Sequence, residues 1–139
     1  MPRMYEIPTS LGDKLYSGEW SMLTAGENVT IGQVCYMKSD GKLWKAKADD
    51  VSTMPGMYMA LESISTDAAG RFLQSGVIRE DNVFNFTVGA ILYVDASTAG
   101  AITSTAPSGS GDQIQVIGYC FPSAHYVVFK PSGVLVQHI

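Results

Sequence analysis

The sequence is short of the residues from which most catalytic and metal sites are built. It has two histidines, His125 and His138, 13 residues apart with no cysteine or acid cluster at ligand spacing, so no bound metal is expected. Its two cysteines, Cys35 and Cys120, are too few for a disulfide scaffold. Basic residues are scarce as well: 9 Lys and Arg against 13 Asp and Glu leave a net charge of −4, which excludes a generally basic nucleic-acid binder. No run of about 18 apolar residues is present, so no membrane-spanning helix is expected. The opening stretch Met1–Pro8 lacks the apolar core of a signal peptide. Strong helix formers are few, since Leu, Glu, Lys, Arg and Gln together number 27.

What is present favours strands. Val, Ile and Thr number 30 and aromatics 14, punctuated by 14 Gly and 6 Pro. At 139 residues and 46% hydrophobic, the chain is sized for one soluble, well-packed domain. Candidate strands are Glu19–Leu23, Val29–Lys38, Leu43–Ala46, Gly56–Ser63, Gly70–Ile78, Phe84–Phe86, Ile91–Val94, Gln113–Cys120 and His125–Phe129, with Val134–Gln137 as a further short one. Asp40-Gly41 predicts a hairpin with a type I′ turn. Only Lys45–Ser52 and Ser65–Ala69 have room for a turn of helix. The reading is all-β: a compact β-sandwich or β-barrel of short antiparallel strands over residues 20–139, preceded by an extended N-terminal arm, 1–19. Pro2, Pro8, Gly12 and Gly18 break any regular period in that arm, yet it carries Met4, Tyr5, Ile7, Leu11, Leu15 and Tyr16. So apolar a segment is expected to lie on protein, either its own domain or a neighbouring subunit.

An internal repeat is the most informative pattern. Val29-Thr30-Ile31-Gly32-Gln33-Val34-Cys35-Tyr36-Met37 aligns without gaps on Phe86-Thr87-Val88-Gly89-Ala90-Ile91-Leu92-Tyr93-Val94, an offset of 57. Each copy reaches a Gly-containing turn and a short strand, and later a Gly followed by an apolar strand. Two copies are too few for a solenoid and fit two halves of one closed β-domain. Both faces of the repeated strand are apolar, with Val29, Ile31, Cys35 and Met37 on one side and Val34 and Tyr36 on the other. A strand buried on one side alternates with polar residues. Two apolar sides predict a central strand, or a surface that another chain covers.

No catalytic constellation stands out. Cys35 and Cys120 lie in apolar strands and read as buried thiols, and a disulfide between them cannot be read from sequence. Ser123-Ala124-His125 is explained by a turn before a strand. The carboxylates Asp49, Asp50, Glu62, Asp67, Glu80, Asp81 and Asp95 fall in or next to turns, and nothing selects two of them as an acid pair. Ser108-Gly109-Ser110-Gly111-Asp112 is Gly-rich without a following helix start and lysine, so it is a loop and not a phosphate cradle. Asn28 and Asn85 match glycosylation sequons at the same place in the repeat, where a structural role before a strand serves as well. Trp20, Trp44, Tyr58, Tyr119 and Tyr126 are candidates for stacking on sugar rings, with burial in strands as the cheaper explanation.

The phrases Ala25–Tyr36 and Ser39–Ala46, then Gly89–Val94, Gly100–Thr103 and Gln115–Cys120, then Val127–Pro131, resemble in their order small structural proteins of tailed bacteriophages. The resemblance is to capsid decoration (cement) and head-fibre proteins over residues 25–132, and less closely to tail-fibre domains. It implies a non-enzymatic virion protein with no cofactor and no catalytic residue, made in the bacterial host cytoplasm and carried on the capsid surface. Its implied partners are the major capsid protein and further copies of itself in a homotrimer, with neither nucleic acid nor membrane. Met4, Tyr5, Ile7, Leu11, Leu15 and Tyr16 of the arm are the expected interface residues. The alternative is a receptor- or glycan-binding fibre or tail module, with Trp44 and Tyr58 as contacts.

Overall fold

The structure is a computed structural model that describes residues 10–139. Eleven strands follow one another: β1 Tyr16–Thr24, β2 Val34–Met37, β3 Leu43–Lys45, β4 Tyr58–Ala60, β5 Ala69–Arg79, β6 Ile91–Val94, β7 Ile102–Thr103, β8 Gln113–Ile114, β9 Val116–Tyr119, β10 Tyr126–Phe129 and β11 Val136–Gln137. One short 3-10 turn, Val51–Thr53, is capped by the Asp50 carboxylate, which accepts from the Ser52 N–H. Nine strands form a curled antiparallel sheet, a half-barrel, of order β3-β2-β4-β5-β10-β9-β6-β7 with β1 added on β5. Strands β8 and β11 make a separate two-stranded pair.

The order is a palindrome, and the internal repeat is its cause. Strand β2 lies between β3 and β4 as β6 lies between β7 and β9, and β4 meets β5 as β9 meets β10. Gly32 and Gly89, matched in sequence, both take φ of 88°. Each turn binds the same place on its partner. Gly32 N–H donates to Ala60 O and Ala60 N–H to Gln33 O; Gly89 N–H donates to Cys120 O and Cys120 N–H to Ala90 O. Side chains disfavour that backbone region, so glycine holds the position in both copies.

Burial shows how the halves stack. Val34, Tyr36, Met59 and Leu73 of the first half point into the main core, together with Leu92, Val94, Ile117, Val127 and Phe129 of the second. The register pairs Met59 with Leu73 and Tyr119 with Val128, so Ile91, Tyr93, Tyr119 and Val128 are the counterparts of the first half's core residues. They lie on the outside of the second half. The repeats therefore stack the same way up, like two sheets of paper, and one face of each remains outside the main core. In the first half that outer face (Cys35, Leu43, Ala60, Phe72) is sealed by Ala25, Val29 and Ile64, with Leu23 against it. Paired backbone bonds of 2.9 Å between Val29 and Ile64 hold this cover in place.

Long β5 joins the halves. Strand β1 runs along one edge of it from Thr24↔Ala69 to Tyr16↔Ile78, while β4 and β10 occupy different ends of the other edge. The ribbon turns where Gly18 faces Gly76, and a Cβ on either would meet the backbone carbonyl of Ser75 or Ser17. A bulge between Glu19 and Trp20 adds to the bend.

Several sequence expectations are corrected. The predicted strand Val29–Lys38 shrinks to Val34–Met37, because residues 30–33 turn at Gly32. Phe84–Phe86 is not a strand; both rings pack into the main core from a loop. Gln113–Cys120 divides into β8 and β9, separated by the buried side chain of Gln115, which binds Gly56 N–H and O and Ser132 O. The Asp40-Gly41 hairpin forms without a type I′ turn: only Gly41 has positive φ, in a loop closed by Lys38 N–H to Lys42 O at 3.0 Å. Strand β1 starts at Tyr16, inside the predicted arm, since Gly18 fits opposite Gly76 instead of ending the strand.

Candidate docking surface

Among the described residues, strand β1 is the longest open edge. It spans nine residues and pairs only with β5, so its other edge carries backbone donors and acceptors that no described strand uses. Natural edge strands are usually short, or blunted by lysine or proline. Here Glu19 is the only charged residue, and the strand contains neither Lys, Arg nor Pro. Trp20 and Met22 project from the same side of β1, at 44% and 58% exposure. Trp20 pairs with Leu73 across the β1–β5 ladder, yet Leu73 is fully buried while the indole stays partly exposed. Leu15, also exposed, precedes the strand.

The second apolar surface is the outer face of the second half. Ile91, Val116 and Phe121 are exposed there, with Tyr93 and Tyr119 half-buried between them. The sugar-stacking candidates Tyr119 and Tyr126 belong to this face, where Tyr119 packs with the ring of Phe121 and Tyr126 is buried.

Of the predicted interface residues, Met4, Tyr5 and Ile7 lie outside the described residues. Leu11 and Tyr16 are bonded to their own domain. Tyr126 Oη accepts from Leu11 N–H at 2.7 Å and donates to Leu11 O, which also accepts from Arg79. Arg71 donates to Tyr16 Oη at 2.6 Å, and the Tyr16 ring packs against the main core. Between them Lys14 binds the buried Glu80 carboxylate, a hydrogen bond that raises the lysine's pKa. Residues 11–16 thus lie across their own chain.

The structure does not bring Trp44 and Tyr58 together. Trp44 pairs with Tyr36 on the main-core side of the sheet, and Tyr58 pairs with Cys35 on the other. Gly26 lies close against the indole, the Lys38 ammonium sits over the ring 4.4 Å from its centre, and the indole N–H donates to Asp40. No flat aromatic platform results.

The polar candidates are consumed by structure. Glu62 pairs with Arg71, Asp67 with Lys42, Glu80 with Lys14, Asp81 with Arg79 and Asp49 with Lys47, while Asp50 and Asp95 accept backbone N–H groups. Hydrogen bonds from Arg79 and Arg71 hold the Asp81 and Glu62 carboxyls below their ordinary pKa. The His125 ring is tied through Nδ1 to Phe84 O at 2.5 Å. The Asn28 side chain accepts from Thr66 N–H at 2.8 Å. Cys35 and Cys120 are both free and buried, and burial pushes the Cys35 thiol up to about 12. Among the described residues no group of three or more His, Cys, Asp and Glu is placed to hold a metal ion, and no helix is long and apolar enough to cross a membrane.

Sequence reasoning named Trp20 only as one of several aromatics and passed over Met22. The usable signal was the alternation of Glu19, Ser21 and Leu23 with Trp20, Met22 and Thr24, without a lysine or proline to blunt the edge. No protein-family model, curated protein or solved structure matches this chain.

Proposed function

We propose that the chain is a non-enzymatic structural protein of a tailed-phage virion, which binds the outer surface of the capsid as a homotrimer and stabilises it. The observation that carries this reading is the open edge of β1 with Trp20 and Met22 beside it. An open edge gains main-chain hydrogen bonds when a partner adds a strand, and alternate side chains select that partner. A buried tryptophan anchor at such a contact is commonly worth about 2 kcal/mol or more. The order of motifs over residues 25–132 supplies the partner class, the major capsid protein. Capsid lattices present symmetric depressions where subunits meet, and a symmetric oligomer fits such a seam. Holding several subunits at once raises the cost of separating them through multivalency alone.

The test is co-sedimentation with assembled shells of the phage that encodes the chain, alongside native mass spectrometry. Saturable binding at a fixed ratio to capsid subunits, by a trimer, is the expected result. A monomer that stays in the supernatant, or that binds glycans and not shells, overturns the reading.

A further inference from the structure

One carboxylate in the described residues stands apart from the others. Six, from Glu27 to Asp81, face a lysine or arginine. Five more accept N–H groups of the backbone or of an indole. Glu19 alone has neither an ion pair nor a hydrogen bond among the described residues. It is exposed in the middle of β1, the strand whose outer edge no described strand uses. Arg71, the cation that β5 places beside β1 opposite Met22, is already held by Glu62 and Tyr16. Alternation puts Glu19 and Ser21 on one side of β1 and Trp20 and Met22 on the other.

We propose that the segment which adds to β1 is a basic strand of another protein, with Lys or Arg opposite Glu19 and apolar side chains opposite Trp20 and Met22. The inference rests on the reading of β1 as a docking edge and extends it to the chemistry of the partner. Charge complementarity selects the basic residue. A strand laid along β1 brings its own side chains to about 5 Å from Glu19, where an opposite charge stabilises the pair and a like charge opposes it. An apolar residue there takes water from the carboxylate and returns nothing. The other side of the strand asks for the reverse. Trp20 and Met22, at 44% and 58% exposure, gain from apolar neighbours alone. Together the two sides define an alternating strand, basic and polar on one face and apolar on the other. A second copy of β1 does not fit that description. It carries Glu19 and no Lys or Arg, so two such strands hold a carboxylate each and a cation for neither. The net charge of −4 adds a general repulsion between copies.

The test uses the full chain and dye-labelled peptides of the length of β1, alternating valine and threonine, with the central threonine replaced by Lys or by Glu. Affinity is read by fluorescence polarisation at low ionic strength, and the place of binding by amide hydrogen exchange. The Lys peptide should bind about fivefold more tightly than the Glu peptide and slow exchange in Tyr16–Thr24. Glu19→Gln should bring the two affinities together, Glu19→Lys should reverse their order, and added salt should shrink the difference. Equal affinities, an order that survives Glu19→Gln, protection elsewhere in the chain, or no binding of either peptide overturns the proposal. Its failure is distinct from that of the capsid reading. Selective peptide binding without sedimentation on shells sustains the basic strand and overturns the capsid; shell binding that Glu19→Lys leaves unchanged does the opposite.

Discussion

The two halves of the molecule share a sequence pattern, a strand order and a turn geometry, yet they face opposite fates. In residues 25–79 both faces of the repeat are largely covered, one by the second half and the other by the short segments around Val29 and Ile64, with Met37 exposed at the end of β2. In residues 84–129 one face is sealed and the other still shows Ile91, Val116 and Phe121. Because the copies stack the same way up, each half keeps one apolar face that the other half does not cover. A dyad-related sandwich would bury the equivalent faces of both copies against each other. The comparison teaches that apolar surface on this protein follows from how the repeat stacks, and that among the described residues the apolar surface left uncovered lies on the second half and along the β1 edge.

Substitutions can break that comparison, and the largest effect belongs to the sealed face. Phe72→Ala should cost about 3–5 kcal/mol in chemical denaturation, the range for a fully buried Phe. Ile91→Ala, its opposite on the open face, should cost under about 1 kcal/mol in a chain lacking residues 1–8; equal losses would mean that the halves are sealed alike. Trp20→Ala should leave the denaturation midpoint nearly unchanged and weaken shell binding by about thirtyfold, equivalent to about 2 kcal/mol. Alanine at Gly32 or Gly89 should cost about 1–2 kcal/mol for the left-handed backbone. Gly32→Ala should be the worse, because its Cβ lies 3.1 Å from the Phe84 ring while that of Gly89 meets nothing.

Smaller effects sharpen the contrast. The Cys35 thiol, pushed up to about 12 by burial, should react with a disulfide reagent at pH 8 only as fast as the protein opens. A cysteine placed by Val116→Cys in the chain lacking residues 1–8 should react at once. Glu62, held below its ordinary 4.5 by the hydrogen bond from Arg71, stabilises the fold fully above that value, and the contribution drains away as pH falls through the lowered one. Glu62→Gln should therefore flatten the acid side of the stability profile, with a loss under about 1 kcal/mol at neutral pH for a pair this exposed. An unchanged acid limb would remove Glu62 from that account.

Much of the fold was legible because the repeat carries it. The matched Thr, Gly and Tyr marked the two copies, but the predicted strand ran straight through Gly32, where both copies instead turn with positive φ. The two-sided apolar pattern of Val34–Met37 correctly marks a central strand. What covers each side was not legible, since cover depends on Ala25, Val29 and Ile64 arriving from different parts of the chain. Strand limits failed where a side chain or a long-range bond outweighs propensity: Gln115 ends β8 by binding Gly56, and Gly18 is tolerated in β1 only because Gly76 faces it. Trp44 stood out as an aromatic, but its use in packing against Gly26 and Lys38 is set by tertiary contact. Trp20 and Met22 were equally visible as letters. Their exposure follows from β1 lying at an edge, which strand order decides and local pattern does not.

The central claim is that this chain acts by adding itself to protein surface through the edge of β1. Its most direct measurement is hydrogen exchange on the shell-bound protein against the free one. Slowed exchange concentrated in Tyr16–Thr24, lost in a Trp20→Ala, Met22→Ala variant along with co-sedimentation, is the predicted result. Binding to shells with the amides of β1 exchanging as fast as in the free protein contradicts it.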